Sequence, residues 1–240
     1  MKQTILKLYS DLYYNHQESN NTQWQSIDID KRNPMVEVLD TFVKFKYDPD
    51  LSGNLNPDLP WAEDHFLERI NGEPINPGEE YKNWPYYKNG DNDDLFRSTG
   101  KFSHNYMERY WCSDIKGRRY QYGDLKDIMD RIKDNPYTRQ AYLAVWHPED
   151  QSNNNVRVPC TLGYWFYFNG KTLDVTYHIR SCDAARHLRN DVYMTLRLLE
   201  YVCEYTNLKP GTLKMWIGSL HCFKSDLYTL RKYVRDSNNS

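Results

Sequence analysis

The stretch "VPCTLGYWFYFNGKTLDVTYHIRS", residues 158–181, contains two β-prone runs joined by Asn169-Gly170. Asn-Gly between two such runs is one of the strongest local signals for a β-hairpin. The first run starts directly after Cys160, so the sequence predicts a strand with a cysteine at its entrance. That cysteine is either a packed core thiol or a nucleophile, because free cysteine is among the most buried residue types while its thiolate is reactive.

Hydrophobic periodicity predicts an α+β architecture around this hairpin. Asp124 and Pro136 bracket one helix as its cap and its stop signal. We treat residues 1–240 as one domain with a loop-rich insertion around residues 48–100, where Pro, Gly, Asn and Asp are frequent. The predicted helices are 1–14, 61–70, 124–136, 191–205 and 225–234, and the predicted strands outside the hairpin are 35–47, 140–148 and 212–223.

The bulk composition limits the classes of function. A formal net charge of -2 over 240 residues gives no basic excess for a nucleic-acid polymer. We find no run of about 18 apolar residues that would predict a membrane span, and no signal peptide. The five cysteines form no C-x-x-C pair, which argues against a disulfide framework and a zinc site. We therefore expect a cytoplasmic protein that uses no metal and binds neither membranes nor nucleic-acid polymers.

Four short motifs occur in order along the chain. They are "NPYTRQ" at 135–140, "PC" at 159–160, "RSCD" at 180–183 and "GSLHCF" at 218–223, with Asp191 opening a predicted helix between the last two. In this order they resemble the thymidylate synthase superfamily, and within it most closely the deoxycytidylate (dCMP) hydroxymethylases of phages. Any one motif is weak, whereas four in the family's order are hard to obtain by chance.

The resemblance implies a thymidylate synthase-like α+β fold, in which a mixed β-sheet packs with helices that include a long buried core helix. It also implies a homodimer whose substrates are a pyrimidine nucleoside monophosphate and 5,10-methylenetetrahydrofolate. In the implied reaction the Cys160 thiolate adds to C6 of the pyrimidine, which makes C5 nucleophilic toward the one-carbon unit. The likeness covers about residues 101–230 and is weak over the first hundred.

By the same resemblance, Arg180 and Ser181 hold the substrate phosphate, and Arg139 is donated to it across the dimer interface. A guanidinium fork suits phosphate, and a cation beside Cys160 favours its thiolate. The further implied positions are Tyr106 in the pocket near Cys160, Arg32 as an N-terminal phosphate ligand, Asp183 at the folate and His221 at the sugar.

Asp191 carries the prediction of base specificity. Thymidylate synthases have Asn at this place, whose amide fits uracil, whereas cytosine presents an N4 amino donor and an N3 acceptor. A carboxyl group accepts a hydrogen bond from N4 where an amide nitrogen would oppose it, and when protonated it also donates to N3. The alternative role of Asp191 is a helix N-cap, a position where Asp is favoured.

The implied chemistry also needs a glutamate as general acid/base. Glu63 in "LPWAEDHFLERING" (59–72) is our prediction, because Trp-x-Glu and the Ile-Asn-Gly-Glu-Pro-Ile-Asn that follows loosely resemble the family's helix and turn. Glu68 on the same predicted helix is the alternative. Both glutamates are also compatible with solvated helix positions.

Several positions depart from the family pattern. Phe223 replaces a tyrosine, Gln140 an arginine, Trp165 a glutamine and His187 a glycine, so we expect a reshaped nucleotide pocket. The sequence ends with "LRKYVRDSNNS" and lacks the long tail that closes over folate in thymidylate synthases. We expect this difference to admit the water that a hydroxymethylase consumes.

Three other functions stay open at this point. A pyrimidine nucleotide methylase, either thymidylate synthase itself or a cytidylate version, would use the same residues and produce dihydrofolate. A catalytically silent nucleotide-binding homologue is compatible with the departures from the pattern. A Cys-His hydrolase built on Cys160 and His221 rests on residue types alone.

Overall fold

A six-stranded mixed sheet forms the centre of the computed structural model, which describes residues 1–19, 34–86, 94–112, 122–151 and 157–238. The strands are β1 (Gln17–Glu18), β2 (Met35–Lys46), β3 (Tyr142–Ala144), β4 (Thr161–Phe168), β5 (Leu173–Asp183) and β6 (Pro210–Phe223). They lie side by side in the order β1, β2, β6, β5, β4, β3. Strands β5 and β6 pair in parallel, and the other neighbours pair antiparallel.

The helices pack mainly on one face of this sheet. They are α1 (Lys2–Asn15), α2 (Leu51–Leu55), α3 (Trp61–Arg69), α4 (Asp94–Thr99), α5 (Tyr106–Tyr110), α6 (Leu125–Asp134), α7 (Leu188–Thr206) and α8 (Lys224–Asn238), with 3-10 turns at Glu80–Asn83 and Pro148–Gln151. Helix α7 connects β5 to β6, because parallel neighbours need a crossover. Among the described residues, no helix is long and apolar enough to cross a membrane.

The predicted hairpin is confirmed as β4 and β5. Gly170 adopts φ +92°, a left-handed conformation that favours glycine. The Asn169 side-chain oxygen accepts the backbone N–H groups of Lys171 at 3.0 Å and Thr172 at 3.1 Å. The turn residues thus fix the register of both strands. This register sets which residue of β5 lies beside Cys160, at the end of the hairpin away from the turn, and that residue is Arg180.

The predicted core helix is confirmed as α7, which begins three residues earlier than expected, at Leu188. Its buried face meets alternate side chains of the hairpin, because β5 and β4 turn the same face toward it. Burying each large apolar side chain contributes about 1.5 to 3 kcal/mol. The core side chains in this layer include Tyr164, Phe166, Tyr177, Ile179, Val192, Leu196 and Leu199.

The strand predicted at 140–148 is shorter than expected, since β3 spans Tyr142–Ala144. A β-bulge explains the early end. The backbone N–H groups of Val145 and Trp146 both donate to the Leu162 carbonyl oxygen at 3.0 Å. Two residues of one strand therefore face one residue of the other, and the regular hydrogen-bond pattern between β3 and β4 ends here. The loop-rich stretch at 48–100 contains α2, α3 and α4, of which the sequence predicted α3.

Candidate active site

Cys160 lies at the entrance of β4, where this strand begins beside the end of β5. The Arg180 backbone N–H donates to the Cys160 carbonyl oxygen at 2.9 Å, and the β-bulge follows between Thr161 and Gly163. Bulges re-aim side chains and are over-represented next to active sites. The Cys160 side chain is partly exposed, whereas the other four cysteines are buried.

The Arg180 guanidinium holds the segment that leads to this thiol. Its Nε donates to the Pro159 carbonyl oxygen at 3.0 Å, and a terminal nitrogen donates to that of Val158 at 3.2 Å. Burial raises the pKa of Cys160, while the positive charges of Arg180 and Arg157 oppose the rise. The resting site therefore holds a protonated thiol, and Arg180 is the main charge that favours its thiolate.

The neighbouring ends of β5 and β6 bring Ser181 and His221 together. Ser181 Oγ and His221 Nδ1 are hydrogen-bonded at 3.3 Å, and both residues are buried. Gly218 allows the strands to approach, because a Cβ at this position would lie 2.8 Å from the Arg180 carbonyl oxygen. The "GSLHCF" motif thus places a polar pair next to Arg180.

Asp183 is engaged in the turn that leads from β5 into α7. Its Oδ1 accepts the backbone N–H groups of Ala185 at 2.9 Å and Arg186 at 3.1 Å. The Arg186 guanidinium forms an ion pair with Asp226 at 3.0 Å and covers the Phe223 ring at 4.7 Å. Arg186 is therefore fixed against the phenylalanine that replaces the family's tyrosine.

Tyr106 reaches the same end of the sheet from α5. Its hydroxyl group hydrogen-bonds to Thr161 Oγ1 at 3.0 Å, which in turn hydrogen-bonds to the Tyr177 hydroxyl at 2.8 Å. Burial raises the pKa of Tyr106, and the next largest influence on it is Cys160. The hydrogen bond to Thr161, the residue directly after Cys160, therefore places Tyr106 beside the entrance of β4.

Asp191 lies in the first turn of α7 without capping it. The N-cap position is His187, and no side chain caps this terminus, so the alternative that Asp191 is the N-cap is wrong. The Cys182 thiol donates to Asp191 Oδ2 at 3.6 Å. Burial raises the pKa of Asp191 to about 6, although the Arg69 guanidinium opposes the rise. The negative charge of Asp191 also raises the pKa of Cys160.

Glu63 on α3 is held by α7. Its carboxylate accepts two hydrogen bonds from Arg197, at 2.9 and 3.0 Å, and one from the Tyr193 hydroxyl at 2.9 Å. Burial alone would raise the pKa of Glu63, but these donors outweigh it and lower the pKa. Glu63 lines a cleft of about 190 Å³ with Asp50 and Arg197, and Cys160 and Asp191 are not among the residues of that cleft.

Glu68 lies on another side of α3. Consecutive helical residues turn by about 100°, so Glu68 lies about 60° from His65 around the helix, whereas Glu63 lies about 160° from His65. His65 Nδ1 lies 3.4 Å from Glu68 Oε2, and the Glu79 backbone N–H donates to Glu68 Oε1. Arg69, the next residue, reaches Tyr106, with its guanidinium 4.1 Å from the ring centroid. The contacts of α3 therefore direct Glu63 toward α7 and Glu68 toward the segment that contains Glu79.

One of the predicted phosphate arginines, Arg139, lies apart from this cluster. Arg139 is exposed on the turn before β3, and its carbonyl oxygen accepts a hydrogen bond from Trp165 Nε1 at 3.1 Å. Gln140, which replaces an arginine of the family, accepts from Arg131 at 3.0 Å. Arg32 lies outside the described residues.

The sequence prediction did not identify Arg69, whose side chain is only 7% exposed. It also did not identify the residue that packs against His187. A signal for Arg69 existed, because residues 61, 65 and 69 recur at i, i+4 and i+8 on a predicted helix, so a charged residue falls on a buried face. His187 stacks on Trp84, with ring centroids 4.7 Å apart, and burial lowers its pKa to about 4. No local pattern pairs residues 84 and 187.

Comparison with known proteins supports the motif-based resemblance. The family model described as thymidylate synthase matches residues 71–239, which is more than half of the chain. The chain is 25% identical over 163 residues to a thymidylate synthase of Mycoplasma pneumoniae, covering 65% of this chain and 55% of that protein. It is 27% identical over 134 residues to a putative thymidylate synthase of Methanococcoides burtonii, covering 56% and 59% of the two chains.

A putative thymidylate synthase of Methanopyrus kandleri is 25% identical over 133 residues, covering 51% of this chain and 63% of that protein. The chain thus spans 55 to 63% of the length of these three relatives. The six-stranded mixed sheet with α7 against it agrees with the expected α+β class. On the extent of the family match, the chain belongs to the thymidylate synthase family.

Proposed function

We propose that the protein is a pyrimidine nucleoside monophosphate C5 hydroxymethyltransferase, which converts dCMP and 5,10-methylenetetrahydrofolate into 5-hydroxymethyl-dCMP. The observation that carries the proposal is the half-buried Asp191 carboxyl group, which is bonded to Cys182 two residues after the Arg180 that pairs with the partly exposed Cys160. A thiolate suits attack on pyrimidine C6, and a carboxylate accepts a hydrogen bond from the exocyclic amine of cytosine. Membership in the thymidylate synthase family supports one-carbon transfer to C5.

Cys160 is the nucleophile of the proposed reaction. Its Sγ bonds to C6, and the electrons of the C5–C6 double bond move to C5, which then bonds to the one-carbon carbon. Loss of the C5 proton and departure of tetrahydrofolate leave an exocyclic methylene group. Hydroxide from water adds to that carbon, the C5–C6 double bond reforms and the Sγ–C6 bond breaks. Arg180 favours the thiolate that begins and ends this sequence.

The other polar residues of the site are proposed to bind the rest of the two substrates. Arg180 uses two of its five N–H donors on Pro159 and Val158, which leaves donors for a phosphate. The buried Ser181–His221 pair next to it suits a phosphate oxygen and a sugar hydroxyl. Asp183 is proposed for the folate, and Arg32 as a second phosphate ligand.

A homodimer is proposed because the sheet face opposite α7 carries exposed aromatic side chains in the described part of the chain. Register places Phe42, Trp216 and His178 side by side on this face, and Phe42 is 57% exposed. Trp165 lies on the same face and donates to the backbone of Arg139. An exposed Arg139 beside such a face fits the proposal that it reaches the phosphate of a partner chain.

Two glutamates compete for the acid/base role, and matched glutamine variants distinguish them. We expect Glu68→Gln to lower kcat for dCMP by about 100-fold, because the Glu63 carboxylate is occupied by Arg197 and Tyr193 and general acid/base groups contribute about 10² to 10⁴. Glu63→Gln should mainly lower the melting temperature, since it weakens the bonds to Arg197 and Tyr193. A larger kcat loss in Glu63→Gln than in Glu68→Gln would assign the role to Glu63, our original prediction.

Product analysis tests the proposed function directly. We expect the protein, incubated with dCMP and methylenetetrahydrofolate, to yield a nucleotide heavier by one CH2O unit in mass spectrometry. The Cys160→Ala variant is the control for adventitious formaldehyde chemistry. A folded protein that gives no such product would contradict the proposal.

Thymidylate synthesis is the second candidate function, and the names of the relatives favour it. It would methylate dUMP, and one hydride from tetrahydrofolate would leave dihydrofolate. The two reactions differ in the oxidation state of the released folate. Appearance of dihydrofolate absorbance with dUMP, together with a mass gain of one CH2 unit, would assign the protein to methylation.

A further inference from the structure

Glu37 is a buried residue of β2 whose carboxyl group uses one of its two oxygens. The residue is 9% exposed, and its Oε2 accepts a hydrogen bond from Ser219 Oγ at 2.6 Å. Its Oε1 has no hydrogen-bond or ion-pair partner among the described residues, and this atom is not fully enclosed. A carboxylate oxygen accepts hydrogen bonds and donates none. Oε1 is therefore an acceptor that a bound ligand can use.

Strand pairing places Glu37 beside the Ser181–His221 pair. Glu37 and His221 are directly opposite each other in the antiparallel pairing of β2 with β6. Directly opposite side chains point to the same face of a sheet, with Cβ atoms about 4.5 to 5.5 Å apart. Ser219, which donates to Glu37, precedes His221 by two residues and so shares this face. Since His221 is hydrogen-bonded to Ser181 at 3.3 Å, the four side chains form one polar cluster.

Phe223 reduces the number of polar groups next to this cluster. It follows His221 by two residues on the same strand, and the Arg186 guanidinium covers its ring at 4.7 Å. The phenylalanine ring has no hydroxyl group, unlike the tyrosine that it replaces, and Met35, the residue opposite it, is also apolar. A polar ligand group held at His221 must therefore find its second partner elsewhere. Glu37 lies diagonally opposite Phe223, within reach for a long side chain.

The proposed substrate has a matching group. Because its 5′ position carries the phosphate, dCMP has one free hydroxyl group on its sugar, at C3′. A hydroxyl group both donates and accepts hydrogen bonds, so it needs a donor and an acceptor in the site. His221 and Glu37 together provide a ring nitrogen and a free carboxylate oxygen on one face of the sheet.

We propose that Glu37 is a specificity-determining residue, whose Oε1 accepts a hydrogen bond from the 3′-hydroxyl group of the nucleotide. This inference rests on the proposed function. His221, with Nδ1 accepting from the Ser181 hydroxyl, donates from Nε2 to the oxygen of the same group. A nucleotide without the 3′-hydroxyl leaves Oε1 unpaired when it binds, and the site discriminates against it for that reason.

Equilibrium binding tests the role of Glu37. In the Cys160→Ala background binding stays reversible, and calorimetry measures the affinities for dCMP and for 2′,3′-dideoxycytidine monophosphate, which lacks only the 3′-hydroxyl group. We expect dCMP to bind about 10- to 100-fold more tightly, the factor that corresponds to one hydrogen bond to a charged group. Both ligands carry the same base and phosphate, so the ratio of the two affinities reports the sugar contact alone.

The Glu37→Met variant removes the acceptor and preserves the length of the side chain. We expect it to bind dCMP more weakly and the dideoxy nucleotide as before, so that the affinity ratio falls by about 10-fold or more. Glu37→Gln keeps an oxygen for Ser219 and serves if the methionine variant does not fold. Its neutral amide should lower the ratio by a smaller factor. With Cys160 present, Glu37→Met should raise KM for dCMP more than it lowers kcat.

Asp174→Asn is the matched control, because Asp174 is a similarly buried carboxylate of the same sheet. It is 7% exposed, and both of its oxygens are occupied. Oδ1 accepts the Thr212 backbone N–H at 2.9 Å, and Oδ2 pairs with Lys214 at 3.0 Å. This variant should lower the melting temperature and leave the ratio of the two affinities unchanged.

Two results would overturn the role of Glu37. One is equal affinity of the Cys160→Ala protein for the two nucleotides. The other is an affinity ratio that Glu37→Met leaves unchanged, which would show that Glu37 supports the strands through Ser219 and does not contact the sugar. Failure of the folded Cys160→Ala protein to bind dCMP at all would instead contradict the proposed function.

Discussion

Replacing Cys160 with serine should lower the turnover of dCMP by about 10³-fold or more, which is the scale of losses when an enzyme loses its nucleophile. The hydroxyl group of serine has a far higher pKa than a thiol, and the charge of Arg180 cannot offset that difference. Steady-state product formation by mass spectrometry measures the loss. Substrate binding should change little, because the substitution alters one atom.

A mechanism-based inhibitor tests the covalent step itself. The fluorine of 5-fluoro-dCMP cannot leave C5 as a cation, so the adduct with the one-carbon unit should persist on the protein. We expect the intact mass to rise by the inhibitor plus the folate, and peptide mapping to locate the adduct at Cys160. A catalytically silent homologue would give no adduct.

A matched cysteine provides the control. Cys203 is buried in α7, its pKa is raised to about 12 by burial, and it does not belong to the site. Cys203→Ala should retain turnover and adduct formation within a few-fold. Brief treatment with iodoacetamide should modify Cys160 first, since it is the partly exposed cysteine of the five. Preferential labelling of another cysteine, or an adduct that forms in Cys160→Ser, would contradict the assignment.

The sequence predicted those parts of the fold that depend on local signals. The Asn169-Gly170 turn and the apolar periodicity of α7 each lie within one segment, so the hairpin and the core helix were predicted correctly. The strand order depends on pairing between distant segments, such as β2 with β6, and periodicity carries no information about it. Helix α5 spans only Tyr106–Tyr110, which is too short for a periodic pattern.

The residues of the candidate site also differ in whether sequence signals or contacts between distant segments determine their roles. Ser181 and His221 lie on paired strands and share a side-chain hydrogen bond, whereas the resemblance assigned them separately, to the phosphate and to the sugar. The bonds of Glu63 to Arg197 cross 134 residues of sequence, so no local pattern could have predicted them. The spacing of residues 61, 65 and 69 signals the burial of Arg69, but the lack of a hydrogen-bond partner for its Nε among the described residues depends on the tertiary structure.

Replacing Asp191 with asparagine should reverse the base preference from dCMP toward dUMP. The substitution is isosteric, but the amide brings a donor to a place where the carboxyl group offers an acceptor. Each unpaired buried polar group costs about 1 to 3 kcal/mol, so the ratio of kcat/KM for the two nucleotides should change by about 10- to 100-fold. Because the Cys182 thiol donates to Oδ2, we expect Oδ1 to be the atom that faces the base.

The pH dependence gives this prediction a second, independent measurement. The pKa of Asp191 is raised to about 6, so its anion predominates above that pH and is lost below it. An amide does not titrate, and the dCMP to dUMP binding ratio of the asparagine variant should therefore stay constant across pH 6. Asp174→Asn is the matched control: Asp174 is a buried carboxylate at the opposite end of β5, paired with Lys214 at 3.0 Å. An Asp191→Asn protein that folds and keeps the wild-type ratio at every pH would show that another residue reads the base.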